Sequence, residues 1–434
     1  MSDKSTNYSH QRRAPLEAEG WAGANLTPIT TRGRDVEPSA DPLDDIFRRA
    51  LTGQSLFTNR DALSSDYVPG RLPFREKQIA GIGEILSPVL HGSRPSNLIL
   101  YGKTGTGKTA VARYVLRRLK TSAAEQGIKV NTCYANTRFA GTEYRVLSTL
   151  AEEINLKIPF TGLSVGEAFA RLESTINASK SNVIVILDEI DFLVSNYGDD
   201  LVYELTRINE RLTPSKVSFV GISNDLQFKE LLDPRCLSSL SEEEMVFSPY
   251  TASELKIILA ERATAAFCTG AVEEAAIGLC AALAGSEHGD ARRAVDLLRV
   301  AGEVAEREAS SRVEEKHVRA AVQRIERDRM VEAIRSLPLH AKLVLLSILT
   351  NSASSSTGEI YQRYTKLCRR IASEPLTQRR VSGLLAELDL LGLVSANLVS
   401  QGRYGRTRKI SALTPLDTCR EILAEDPTLG SLLG

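Results

Sequence analysis

Between residue 97 and residue 250, short runs of consecutive apolar residues alternate with segments whose apolar positions recur every three or four residues. Unbroken runs suit strands buried on both faces of a parallel sheet, and the 3.6-residue period suits the helices that cover it. Five strand-bearing segments are predicted, at residues 98–101, 128–134, 181–191, 217–225 and 243–250. Ile79, Ile82, Ile85 and Leu86 mark a helix before the first strand, with Pro73 bending the chain ahead of it; Val111, Val115, Leu116 and Leu119 mark one after it. Two more helical stretches are expected around 144–154 and 165–176, separated by NLKIPFTGLS, which reads as a plain connection somewhat more readily than as an insertion specialised for a partner.

The pattern then changes twice. From Thr251 to about Met330 the apolar spacing is helical throughout, so a small helical domain follows the sheet. From Ile334 the order is an apolar helix (LPLHAKLVLLSIL), an amphipathic one (GEIYQRYTKLCRRIA), a third capped by Thr377 (TQRRVSGLLAELDLLGLV), and two short strands around Gly402 and Gly405. That order suits a winged helix-turn-helix. The expected division is a mostly disordered tail at 1–60, an α/β domain at 61–249, a helical lid at 250–332 and a winged-helix domain at 333–434. Within the tail, 45–51 is expected to form a short helix, and Trp21 stands alone.

Composition narrows the class without naming a partner. With 54 Lys plus Arg against 54 Asp plus Glu, any basic surface must be local. No run reaches the roughly 18 apolar residues of a membrane span, and there is no hydrophobic leader, so no membrane partner and a cytoplasmic location are expected. The six cysteines include no C-x-x-C pair, which points to reduced thiols and no metal cluster.

Chemistry enters where the first strand ends. In GKTGTGKTA, residues 102–110, the glycines Gly102, Gly105 and Gly107 let backbone N–H groups turn inward around phosphates, with Lys103, Thr104, Thr106 and Ala110 completing the loop. Lys108 can reach the β- and γ-phosphates, and Thr109 offers a hydroxyl to Mg²⁺ at a helix N-terminus. The third strand delivers Asp188 and Glu189 at its carboxyl end, the first suited to the Mg²⁺ shell and the second to activating water. Asn224 ends the fourth strand beside the same phosphates, and Arg235, in LDPR, is offered outward toward a neighbouring subunit's nucleotide. Arg71 and Arg75 flank the bend ahead of the loop, where they could meet base, ribose or phosphate. Arg292 stands in the first turn of a helix begun by Asp290, where a cation opposes the helix dipole unless an anion compensates it. Thr377, Arg379 and Arg380 open the third helix of the last domain, and its hairpin holds Arg403, Tyr404, Arg406, Arg408 and Lys409 with no acid among them, which points to DNA.

Taken together, YVPGRLPFRE, GKTGTGKT, ILDEID, ISND, LDPR, FSPYTASEL, GDARRA and RRVSGLLAELDLLGLV with its GRYGRTRKI wing resemble the archaeal Orc1/Cdc6 replication initiators over about residues 60–415. The resemblance implies an AAA+ P-loop ATPase with lid and winged helix. It implies Walker A at 102–109, Walker B at Asp188 and Glu189, sensor 1 at Asn224, an arginine finger at Arg235 and sensor 2 at Arg292. Tyr250 and Arg262 match family positions that contact ATP, and residues around 137–163 match the family's insertion against DNA. The expected cofactors are ATP or ADP and Mg²⁺; the expected partners are double-stranded origin DNA, an MCM-type replicative helicase and other initiator subunits. Hydrolysis is expected to be slow, a switch more than a turnover. Two rivals remain at this stage, an ATP-gated transcriptional regulator and a DNA motor.

Overall fold

The computed structural model describes residues 55–433 apart from 65, 160, 241, 351–353 and 401–405, with the side chains of 398–400, 406, 407, 416, 417, 431 and 433 also outside the description. The expected tail helix at 45–51, Trp21, Arg403 and Tyr404 therefore lie outside the described residues.

The chain runs α1 (Glu76–Leu86), β1 (Leu98–Tyr101), α2 (Lys108–Glu125), β2 (Val130–Asn136), α3 (Thr137–Ala140), α4 (Glu143–Glu153), α5 (Val165–Ser179) and β3 (Asn182–Asp188). It continues with α6 (Ile190–Tyr197), α7 (Asp200–Arg207), β4 (Lys216–Ser223), α8 (Pro234–Leu240) and β5 (Glu243–Val246). The five strands form one parallel sheet in the order β2-β3-β4-β1-β5. Strand periodicity divides its side chains between two cores. Val183, Val185 and Leu187 face one layer of helices with Leu147, Leu150 and Leu172; Ile184 and Ile186 face the other with Val111, Val115 and Ile82.

The sheet places chemistry at one edge. In the parallel register Asp188 stands opposite both Asn136 and Ile222, and Tyr101 opposite Ser223. The carboxyl ends of β1, β4 and β3 thus lie side by side, β4 between the other two, where open α/β sheets bind their ligands.

Four helices follow: α9 (Ala252–Ala266), α10 (Glu274–Glu287), α11 (Ala291–Arg307) and α12 (Glu315–Ser336). Their core takes in Leu56, Phe57, Ala62 and Leu63 from the start of the described chain; the Phe57 and Phe267 rings stack with centroids 4.4 Å apart. The last module is α13 (Leu339–Leu349), β6 (Ser355–Ser356), α14 (Thr357–Arg370), α15 (Gln378–Leu390), β7 (Val394–Ser400), β8 (Arg406–Ala412), α16 (Leu416–Ala424) and α17 (Gly430–Leu433). Its antiparallel strands order β6-β8-β7, giving three helices backed by a hairpin. Helix α12 belongs to both cores: Val318, Ala321 and Ile325 pack with the lid helices and Ile334 with the last module.

Candidate nucleotide site and candidate nucleic-acid interface

The turn between β1 and α2 is possible because Gly102, Gly105 and Gly107 take φ of 153°, 74° and 91°. Gly105 and Gly107 are also crowded. A Cβ on Gly105 would stand 1.6 Å from Asp290 Oδ1, and one on Gly107 would stand 2.9 Å from the Tyr250 hydroxyl. Asp290 reaches the loop as the N-cap of α11, accepting from the Arg292 and Arg293 amides, while the Ala291 amide donates to the Gly105 carbonyl at 3.1 Å. The lid is therefore seated directly on the glycine loop. Gly105→Ala should lower the melting temperature by several degrees and weaken nucleotide binding, because a left-handed alanine costs about 1 kcal/mol even before the collision with Asp290. Thermal unfolding with and without nucleotide measures both.

Lys108 is buried, and its ammonium donates to the carbonyls of Gly102 (2.6 Å) and Lys103 (2.9 Å) and to Asn224 Oδ1 (2.9 Å). The lysine thus ties the loop to the end of β4. Burial pushes its pKa down to about 8; Arg292 pushes the same way and Asp188 opposes. Thr106 closes the loop from within, donating to the Lys103 carbonyl at 2.8 Å.

Asp188 Oδ2 accepts from the Thr109 hydroxyl and from the Tyr134 hydroxyl, each at 2.8 Å. Glu189 follows with φ 55°, a left-handed backbone uncommon for a residue with a Cβ. It persists because neighbours fix both sides of the residue: its amide donates to Asp188 Oδ1 at 3.0 Å and its carbonyl accepts from Thr137 Oγ1 at 2.5 Å. Its carboxylate lies 3.8 Å from the Arg138 guanidinium. The Asn224 amide is held by Asp191 Oδ1 at 3.1 Å.

These groups face a cavity of about 1130 Å³ that is also walled by Gly105, Gly107, Ala110, Tyr250 and the arginines Arg71, Arg262 and Arg292. Lys108, Thr109, Asp188, Glu189 and Asn224 all line it, so the structure brings together residues chosen from three separate stretches of sequence. Arg71 lies 3.7 Å from Glu261. Arg262 spends its guanidinium on the wall, donating to the carbonyls of Ala62 and Tyr67 and covering the Tyr67 ring.

Arg75 and Arg235 sit elsewhere. The buried Arg75 guanidinium donates to the carbonyls of Thr106, Phe74 and Ser248 and stacks 3.8 Å from the Tyr250 ring centre, bracing the back of the loop. Arg235 has an 82% exposed side chain, 3.3 Å from Asp233, outside the residues that line the cavity.

Sequence reasoning missed Tyr134, Arg138 and the Asp290 contact. Tyr134 becomes a partner of Asp188 only through the pairing of β2 with β3, and no motif marks it. A triphosphate nucleotide fits the donor set: inward-turning glycines, a buried cation and a cavity of the size that encloses small ligands. No cluster of three or more His, Cys, Asp or Glu that could hold a metal occurs among the described residues. The Thr109 and Asp188 oxygens form a hard-donor pair of the kind that binds Mg²⁺ together with phosphate.

In the last module Thr377 caps α15, its hydroxyl accepting from the Arg380 amide at 3.4 Å. Arg379 and Arg380 are exposed at the front of that helix, and Arg408 and Lys409 are exposed on β8. Among the described residues no acid forms an ion pair with any of these four. The Arg406 backbone pairs with Ser400 in the hairpin. Within α3, Phe139 is 90% exposed.

Comparison with known proteins agrees along the whole folded chain. Three family models match: an AAA domain at residues 91–228, the Cdc6 AAA+ ATPase-type lid domain at 256–323 and the CDC6 C-terminal winged helix domain at 332–421. The ORC1-type DNA replication protein of Pyrococcus furiosus is 47% identical over 399 residues, covering 90% of this chain and 95% of that protein. ORC1-type DNA replication protein 1 of Aeropyrum pernix is 50% identical over 396 residues, covering 90% of this chain and all of that protein. The solved structure of the Aeropyrum pernix ORC1 protein in complex with DNA superposes with a TM-score of 0.78 at 51% identity, over 87% of this chain and 98% of that one. A parallel-sheet AAA core, a Cdc6-type lid and a winged helix, joined in that order at this level of identity, mean that the chain belongs to the Orc1/Cdc6 family of DNA replication initiators.

Proposed function

We propose that the chain is an ATP-regulated initiator that grips double-stranded origin DNA through α15 and the β7–β8 hairpin and assists loading of an MCM-type replicative helicase in the cytoplasm, alongside other initiator subunits. The observation that carries this reading is the convergence of Lys108, Asp188 and Asn224, from three neighbouring strand ends, on one cavity whose far wall is the lid. A relative of 51% identity solved in complex with DNA supports the nucleic-acid half.

In this reading Lys108 and the loop amides bind the phosphates, Thr109 and Asp188 are the residues that would hold Mg²⁺, and Asn224 and Glu189 orient water, Glu189 taking its proton. Bound Mg²⁺ would supply charge neutralisation at the phosphates. Arg292 senses the nucleotide from the lid, Tyr250, Arg262 and Arg71 shape its pocket, and Arg75 supports the loop from behind. Arg235, exposed and remote from the chain's own cavity, serves a neighbour's nucleotide. Hydrolysis acts as a slow switch on the lid that rests on Gly105. The domain division is 61–249, 250–332 and 333–434, and residues 137–163 form the second DNA contact.

A footprint of the full chain on its source genome, with and without ATP, tests the proposal: protection at an origin that depends on ATP is expected, and protection at promoters instead would favour a transcriptional regulator. Replacing Arg403 and Arg406 together with Ala should weaken duplex binding and reduce the slope of log affinity against log salt by about 1 to 2, one unit per lost phosphate contact. Titration at three salt concentrations measures it; an unchanged slope would take the wing off the DNA.

A further inference from the structure

Leu376 immediately precedes the cap of α15, and two tyrosines of α14 hold both of its peptide groups. Its amide donates to the Tyr364 hydroxyl at 3.0 Å, and its carbonyl accepts from the Tyr361 hydroxyl at 3.2 Å. Tyr364 is fully buried, and its hydroxyl lies 2.8 Å from His340 Nδ1 on α13. The Tyr364 oxygen, which accepts from the Leu376 amide, thus also joins that nitrogen, and the imidazole tautomer sets which of the two donates. The rings of Tyr361 and Tyr364 pack at 6.2 Å and those of His340 and Tyr364 at 6.1 Å. A chain of hydrogen bonds therefore runs from α13 through α14 to the front of α15, behind Arg379 and Arg380.

Phenylalanine would fill the same core volume. The hydroxyls add direction: they fix the peptide before Thr377 from two sides and so fix where the first turn of α15 points. A helix that reads base edges does so with its N-terminal residues, and paired hydrogen bonds to a base edge tolerate little displacement. Phosphate contacts from long side chains tolerate much more, because they follow a moving charge.

We propose that Tyr361 and Tyr364, with His340 behind them, are positioning residues that set the sequence discrimination of α15 without touching DNA; this rests on reading the winged module as a duplex reader. The test uses the full chain. Wild type selects duplexes from a random pool, and the affinities of Tyr361→Phe, Tyr364→Phe and the double variant are then measured for a selected and a scrambled duplex across a salt series. The ratio of specific to non-specific affinity should fall about tenfold in the double variant, while scrambled-duplex affinity and salt slope stay at the wild-type values.

A ratio equal to wild type in every folded variant would overturn the proposal. So would an equal loss on both duplexes, which is what general loosening of the module produces. Far-UV circular dichroism and ATP affinity report folding; if Tyr364→Phe does not fold, Tyr361→Phe, whose hydroxyl is only part-buried, decides by the same ratio. Failure of wild type to select any sequence would overturn the duplex-reader reading itself, and the clamp with it, which separates the two failures.

Discussion

Replacing Lys108 by Ala should weaken ATP binding by at least about 100-fold, the loss expected when a buried charge-assisted contact to phosphate is removed. The ammonium that would face the phosphates also ties two loop carbonyls to Asn224, so the variant loses both its cation and a brace between β1 and β4. Calorimetric titration measures the affinity, and unchanged binding would remove the loop from the nucleotide site. The pH dependence is a second check. An anion favours the charged lysine, and burial has lowered its pKa from 10.5 to about 8, so affinity should begin to fall as pH climbs past about 8. Stability runs the other way: the folded chain holds the charged form at a cost, and that cost is relieved between pH 8 and 10.5, where the unfolded chain retains more protons. The difference between wild type and Lys108→Ala across this range isolates both effects from other titrating groups.

Glu189→Gln should leave ATP affinity within about twofold of wild type and slow hydrolysis by about 100-fold or more, the usual contribution of a positioned general base. The amide is close in shape to the carboxylate and leaves untouched the backbone bonds to Asp188 and Thr137 that fix this left-handed residue. Single-turnover hydrolysis beside equilibrium binding separates the two quantities. Normal turnover in the variant would assign water activation to another group. Arg138, 3.8 Å from the Glu189 carboxylate, is the cation beside it, and the substitution to Gln removes that ion pair as well.

The strands were legible because each is a bounded apolar run: the predicted segment 181–191 holds Asn182–Asp188, and predicted 128–134 became Val130–Asn136. The glycine loop and the cap at Asp290 were legible for a related reason, since special backbone geometry restricts residue choice. Helices α6 and α7 were passed over between the third and fourth strands, as were α16 and α17 after the hairpin. These segments are short, and a few apolar positions define no period. Relations across the fold left no trace in local sequence. That Arg75 braces Tyr250 and that Tyr134 reaches Asp188 depend on strand order and register, which only the assembled sheet decides.

Helix α12 is a single 22-residue rod, about 33 Å long, whose first half is built into the lid and whose last turn is built into the winged module. Because the lid rests on Gly105 by way of Asp290, a tilt of the lid at that contact would be carried along the rod into the winged module, and a lever pivoted near one end moves its other end further.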